Sequence, residues 1–148
     1  MKTIQIILLV FVLFITCNPS TNNSQRKSSE VSLTVEKLRT SPDSVLTKIK
    51  IDNLDREYEV KKGQIIVDSI LIINNGIKPL KIESIKSKCD CTTVDFDNSR
   101  LIHPKESMVV RYKINTEDMP LGYNQRTISI IGNFFPYFKI ISLSLYLN

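Results

Sequence analysis

Three cysteines, one histidine and three methionines are the only soft or readily activated side chains in the 148 residues. Cys17 stands alone near the N-terminus; Cys89 and Cys91 are separated by Asp90 and follow Lys86 and Lys88. Two thiols at i and i+2 of an extended strand lie about 6.6 Å apart at Cα, near the upper end of disulfide geometry. The pair therefore admits three readings. It can brace a sharp bend as a local bridge, although so small a ring adds little chain entropy. It can act in thiol exchange, since neighbouring lysines favour the thiolate. It can also clamp a soft ion such as Cu(I), with His103 as the further ligand and Met108 and Met119 as the remaining soft donors. None of these lies at a recognised metal spacing, and the helix N-terminus of a working C-x-x-C site is not foreseen here, so no resident cofactor is expected.

Catalytic constellations are thin. His103 precedes Pro104 in an expected turn, where histidines are solvated. There is no G-x-S-x-G, no H-E-x-x-H and, with four glycines in the chain, no Gly-rich phosphate loop. The expectation is a protein that is not an enzyme. The net charge of +5 comes from Lys and Arg scattered without a run of five, which removes the footprint of a nucleic-acid partner.

Cys17 takes its meaning from what precedes it. Lys2 is followed by an uncharged apolar run, residues 6–15 (IILLVFVLFI), and then by a polar stretch. That is the layout of a secretory signal, too short to cross a hydrocarbon core of about 20 residues' span. Leu13-Phe14-Ile15-Thr16-Cys17 resembles a relaxed lipobox, with Phe14 and Thr16 where Leu and a small residue are usual. The resemblance implies cleavage after residue 16, lipidation of Cys17 and a membrane partner through the lipid; an ordinary signal peptide is the alternative. Residues 18–30 (NPSTNNSQRKSSE) lack any large apolar side chain and cannot offset the entropy of being ordered, so they read as a tether. No acidic residue follows Cys17 before Glu30, while Arg26 and Lys27 favour anionic lipid, so the domain is expected to face the periplasm rather than the cell exterior. Segment 17–50 is thus a lipid-anchored tether, with Ser41-Pro42-Asp43 suggesting a short helix over 42–49.

From Ile51 onward the hydrophobic period is two, which is the signature of strands with one buried face. Strands are expected over 56–61, 65–73, 79–85, 92–96, 107–115, 126–131 and 138–147, with a hairpin turn at Asn74-Asn75-Gly76 and another turn at 103–106. Ile70, Ile72, Leu80, Ile82, Val110, Tyr112, Ile128 and Ile130 are the expected core. About seven strands with regular turn signals describe a single immunoglobulin-like antiparallel β-sandwich over 51–148, a small barrel being the competitor.

Four stations sharpen this: Asn74-Asn75-Gly76 with Lys78-Pro79-Leu80; Ser87-Lys88-Cys89-Asp90-Cys91-Thr92; Pro104-x-Glu106 before an alternating strand; and Gln125 to Ile130. Through them residues 58–147 resemble the domain-of-unknown-function 1573 family, exported bacterial immunoglobulin-like domains related to the ASH and major-sperm-protein sandwich. That family typically reads S-x-C-G-C-T at the second station. Glu59, Asp90 and Lys105 stand where it often has Gly, each less favourable at positive φ. The resemblance implies a fold and an exported setting and no activity. Together with the anchor it leads to the expectation of a non-catalytic envelope protein that binds a protein or envelope component; the alternative is a periplasmic thiol-redox or Cu(I)-handling protein using Cys89 and Cys91.

Overall fold

The computed structural model describes Glu36 and residues 46–148. The signal segment, Cys17 and the tether up to Val35 lie outside the described residues, as does the start of the expected helix.

Among the described residues, nine strands form two sheets. They are β1 (Ile49–Ile51), β2 (Asp55–Val60), β3 (Ile65–Asn74), β4 (Leu80–Ser87), β5 (Thr92–Asp95), β6 (Leu101–Ile102), β7 (Ser107–Asn115), β8 (Gly122–Gly132) and β9 (Phe138–Leu147). One sheet has the order β1-β3-β7-β5 and the other β2-β9-β8-β4-β6. The expected sandwich is present, and all eight expected core residues are buried in it. Alternation explains why: along β7, Met108, Val110, Tyr112 and Ile114 are buried and the residues between them exposed. In β4 a register shift between Ile82 and Ser84 lets Ile82 and Ile85, three positions apart, face the same core.

Four expectations are corrected. Positions 46–49 are not helical: Thr47 bridges to Phe134 and β1 begins at Ile49, because Ile49 and Ile51 pack on the core beside β3. The sandwich therefore begins before Ile51. Strands β1 and β6 are too short to show a period and were not foreseen. The pairing is not wholly antiparallel, since β2 runs parallel to β9 from Asp55↔Ser142 to Val60↔Leu147.

The fourth correction concerns residues 74–76. Strands β3 and β4 belong to different sheets, so the segment crosses between layers and is no hairpin. Asn74 is fully buried. Its Nδ2 donates to Lys78 O at 2.7 Å and Ile102 O at 2.8 Å, and its Oδ1 accepts from Thr47 Oγ1 at 3.0 Å and from Gly76 N at 3.1 Å. Gly76 is required by close approach rather than by positive φ, for a Cβ there would come within 2.6 Å of Lys48 N and would strike the Thr47 hydroxyl. Of the three positions where the family resemblance implies glycine, Glu59, Asp90 and Lys105, only Lys105 has positive φ, 70°.

Candidate functional site

Cys89 and Cys91 occupy the turn by which the chain leaves β4 in one sheet and enters β5 in the other, and they are joined as a disulfide. The turn brings their Cα atoms to 5.1 Å, closer than an extended strand would, so the expectation of a near-limiting span is corrected. Backbone hydrogen bonds hold the same turn: Thr92 N donates to Cys89 O at 3.1 Å and Asn115 N to Cys91 O at 2.8 Å. Both cysteines are half-buried.

The remaining soft donors lie elsewhere. His103 is exposed in the turn after β6, where its backbone N–H donates to Glu106 Oε2 at 3.1 Å, and Met108 and Met119 are core residues. Among the described residues no three of His, Cys, Asp and Glu are grouped as a metal would need, so His103 is not brought to the cysteine pair.

A polar cluster not foreseen from the sequence joins the two sheets. Asp68, inward on β3, accepts at Oδ2 from Arg56 Nη1 at 2.8 Å, from Tyr58 OH at 2.7 Å and from Tyr112 OH at 3.0 Å, while the two tyrosine hydroxyls also touch each other. Each hydroxyl carries one proton, so one donates to the carboxylate while the other donates to it or to its neighbour. Arg56 and Tyr58 belong to β2 in the five-stranded sheet, and Asp68 and Tyr112 to the facing sheet. The Arg56 side chain, 10% exposed, also pairs with Asp52 at 3.2 Å. Burial raises the Asp68 carboxyl, but hydrogen bonds from Tyr58, Ser69 N, Tyr112 and Arg56 outweigh it and hold the group below the usual carboxylate range. Burial pushes both tyrosines up, Tyr112 further because of its bond to Tyr58. Carboxylate, phenols and guanidinium thus keep one protonation state around neutral pH, which suits a fixed inter-sheet clasp and not proton transfer. The signal was present in the sequence: Asp68 interrupts an apolar strand, and Arg56 and Tyr58 alternate with exposed acids.

The outer face of the five-stranded sheet is different in character. Along β9 it presents Phe138, Ile140, Ser142, Ser144 and Tyr146, and Tyr123 of β8 packs on Tyr146 with ring centroids 5.2 Å apart. Thr127 and Gln125 face Ser142 and Ser144 on one side, and Asp55, Glu57 and Glu59 of β2 line the other. The row is apolar or aromatic at its ends, hydroxyl-rich at its centre and acidic along one flank.

Two packed sheets, a cross-layer turn clipped by Cys89 and Cys91, and a half-buried inter-sheet clasp define an immunoglobulin-like sandwich. The family model described as protein of unknown function (DUF1573) matches residues 47–145, and the chain belongs to that family. No curated protein sequence matches the chain. Among solved structures, a protein of unknown function from Porphyromonas gingivalis W83 is similar at TM-score 0.63 and 20% identity, over 74% of this chain and 50% of that one. The present chain thus spans half the length of that protein. The ASH/PapD-like domain of human CEP192 is similar at TM-score 0.56 and 13% identity, over 74% of this chain and 89% of that one. The YadV chaperone is similar at 0.53 and 14%, over 68% and 52%. At these identities the likeness is one of fold.

Proposed function

We infer that the protein is a non-catalytic, lipid-anchored module of the cell envelope, facing the periplasm, that uses its sandwich to bind a protein or envelope component. The observation that carries the binding role is the open outer row of β9 and β8. Tyr123 and Tyr146, each more than half exposed, and Phe138 and Ile140 offer apolar anchors that the fold does not need for its own core. Ser142, Ser144 and Thr127 supply hydrogen bonds between them, and Asp55, Glu57 and Glu59 favour a partner with basic or donor-rich groups. Use of the same fold in a chaperone, YadV, supports a role in holding other chains. The anchor is supported by the apolar segment 6–15 and the lipobox-like residues before Cys17.

A photoreactive phenylalanine analogue in place of Ser144, installed in the cells that make the protein, tests the reading. Discrete heavier adducts after irradiation are the expected result, and they should vanish when Tyr123 and Tyr146 are both changed to Asp. A protein that yields no adduct from Ser144 or Ser142 has no partner on this face. The anchor is tested separately: Cys17→Ser should leave the membrane pellet after a carbonate wash or accumulate as precursor.

The pairing of Cys89 with Cys91 suggests a second reading, thiol exchange at the bridge or Cu(I) handling by the two thiols once it is reduced. Intact mass with and without reductant, and with added Cu(I), separates the two. A bridge that exchanges readily with external thiol, or a pair that takes up Cu(I) once reductant has opened the bridge to two thiols, supports the second reading, whereas an unreactive bridge leaves it as a brace.

A further inference from the structure

One end of the sandwich carries apolar side chains of a kind the binding row does not explain. Three loops meet there, 75–79, 103–106 and 133–137, together with Thr47, where the chain enters the domain. They are tied together rigidly. Thr47 N donates to Asn133 O at 2.9 Å; Asn133 Oδ1 accepts from Lys81 N at 2.7 Å and its Nδ2 donates to Pro79 O at 3.1 Å. Asn75 N donates to Lys48 O, and Lys105 N to Asn74 O, each at 2.9 Å. Phe134 is fully buried and pins the last loop, which leaves Phe135 pointing outward, 71% exposed, with Tyr137 edge-on to it at 6.0 Å between centroids. Ile77 is 89% exposed. Lysines 48, 78 and 105 stand on these loops beside one carboxylate, Glu106.

We propose that this end is a membrane-contacting tip, in which Phe135, Tyr137 and Ile77 enter the headgroup region of an anionic bilayer while Lys48, Lys78 and Lys105 meet lipid phosphates. Rigidly presented aromatics flanked by lysines are the composition of a bilayer interface. The opposite end, which also exposes Leu121, has loops that mix Lys61, Lys62 and Lys88 with Asp90, Glu117 and Asp118, and it lacks that positive bias. Position supports the same occupant. Thr47, the first paired residue of the sandwich, sits on this tip, so the tether of the anchor reading joins the domain at this end. The proposal rests on the anchor reading for that orientation, and the tip's own chemistry supplies the contact. A surface-lying domain also leaves the β9 row standing off the bilayer and open to a partner.

The chain contains no tryptophan, so Phe135→Trp and Leu121→Trp each give one reporter at opposite ends of β8, whose eleven residues span roughly 35 Å. Both variants are made in the full chain, purified from membranes and reconstituted in vesicles of phosphatidylethanolamine and phosphatidylglycerol with brominated acyl chains. The indole of Phe135→Trp is expected to be quenched severalfold more than that of Leu121→Trp, and the difference to shrink when Lys48, Lys78 and Lys105 are all changed to Glu. An unquenched indole in Phe135→Trp, equal quenching in the two variants, or a tip that meets a protein and not lipid would overturn the proposal. Intact mass reports independently whether Cys17 carries acyl chains. If it carries none, the anchor reading fails, and the same two variants added from solution to the same vesicles still decide the tip: quenching of Phe135→Trp sustains it and none refutes it.

Discussion

At the scale of single residues, the clasp around Asp68 gives the molecule its acid sensitivity. The carboxyl is depressed in the folded protein, so its contribution is fully present above the unfolded-state value of about 4 and is lost as pH falls through the lower folded value. Protonation removes the partner of Arg56, whose side chain is nine-tenths buried, although Asp52 still holds one end of that guanidinium. Asp68 is 36% exposed on its side chain, and solvent screening reduces what the pair is worth. Asp68→Asn, which keeps an acceptor and removes the charge, should therefore cost about 1–3 kcal/mol at pH 7. In urea melts the gap between variant and parent should hold down to about pH 5 and close as the pH is lowered further toward about 2, and a gap that stays constant would show that the charge of Asp68 is not the relevant quantity.

At the scale of elements, a period of two was enough to place seven strands, because each long strand has one wet and one dry face. It could not place β1 or β6, whose three and two residues show no repeat. It also could not assign strands to sheets. Asn74-Asn75-Gly76 has the composition of a hairpin turn, yet the Asn74 side chain ties Thr47, Lys78 and Ile102 together from distant parts of the chain, and no local rule reports such partners. The cysteine pair was legible as one that could be bridged, its role as brace, exchange pair or metal clamp being left open, and its position between the layers was not legible. Comparison with the family pattern was informative at one turn. His103 O accepts from Glu106 N at 3.0 Å, with Pro104 and Lys105 between them, and Lys105 takes φ 70°, at a position where the family resemblance implies glycine. A lysine there bears the left-handed penalty of about 1–2 kcal/mol, partly offset by the greater freedom that glycine has in the unfolded chain. Lys105→Gly should thus stabilise the protein by up to about 1 kcal/mol, read as a higher urea midpoint at unchanged slope, whereas Glu59→Gly, in a β2 position without positive φ, should destabilise it.

At the scale of the whole molecule, the inner face of the five-stranded sheet builds the core, and its outer face carries the row we propose for recognition. Neighbouring positions on β8 and β9 separate the two roles. Ile130, fully buried, is paired with Lys139 on β9, and Ile140, one residue further on β9, is half exposed on the outer row beside Ser129. The same substitution at the two isoleucines therefore probes opposite sides of one layer. Ile130→Asp drives a charge with no partner between the sheets, where Ile70, Val110 and Ile85 form the same core, and should cost at least about 4 kcal/mol, a large share of the stability of a small domain. Ile140→Asp places its charge in water and should change stability by no more than about 1 kcal/mol, while weakening adduct formation from the photoreactive group at Ser144. Thermal melts followed by circular dichroism, run beside the crosslinking assay, check both halves. Loss of adducts with an unchanged melt for Ile140→Asp would assign the outer row to binding; a parental melt for Ile130→Asp would be incompatible with the sandwich core.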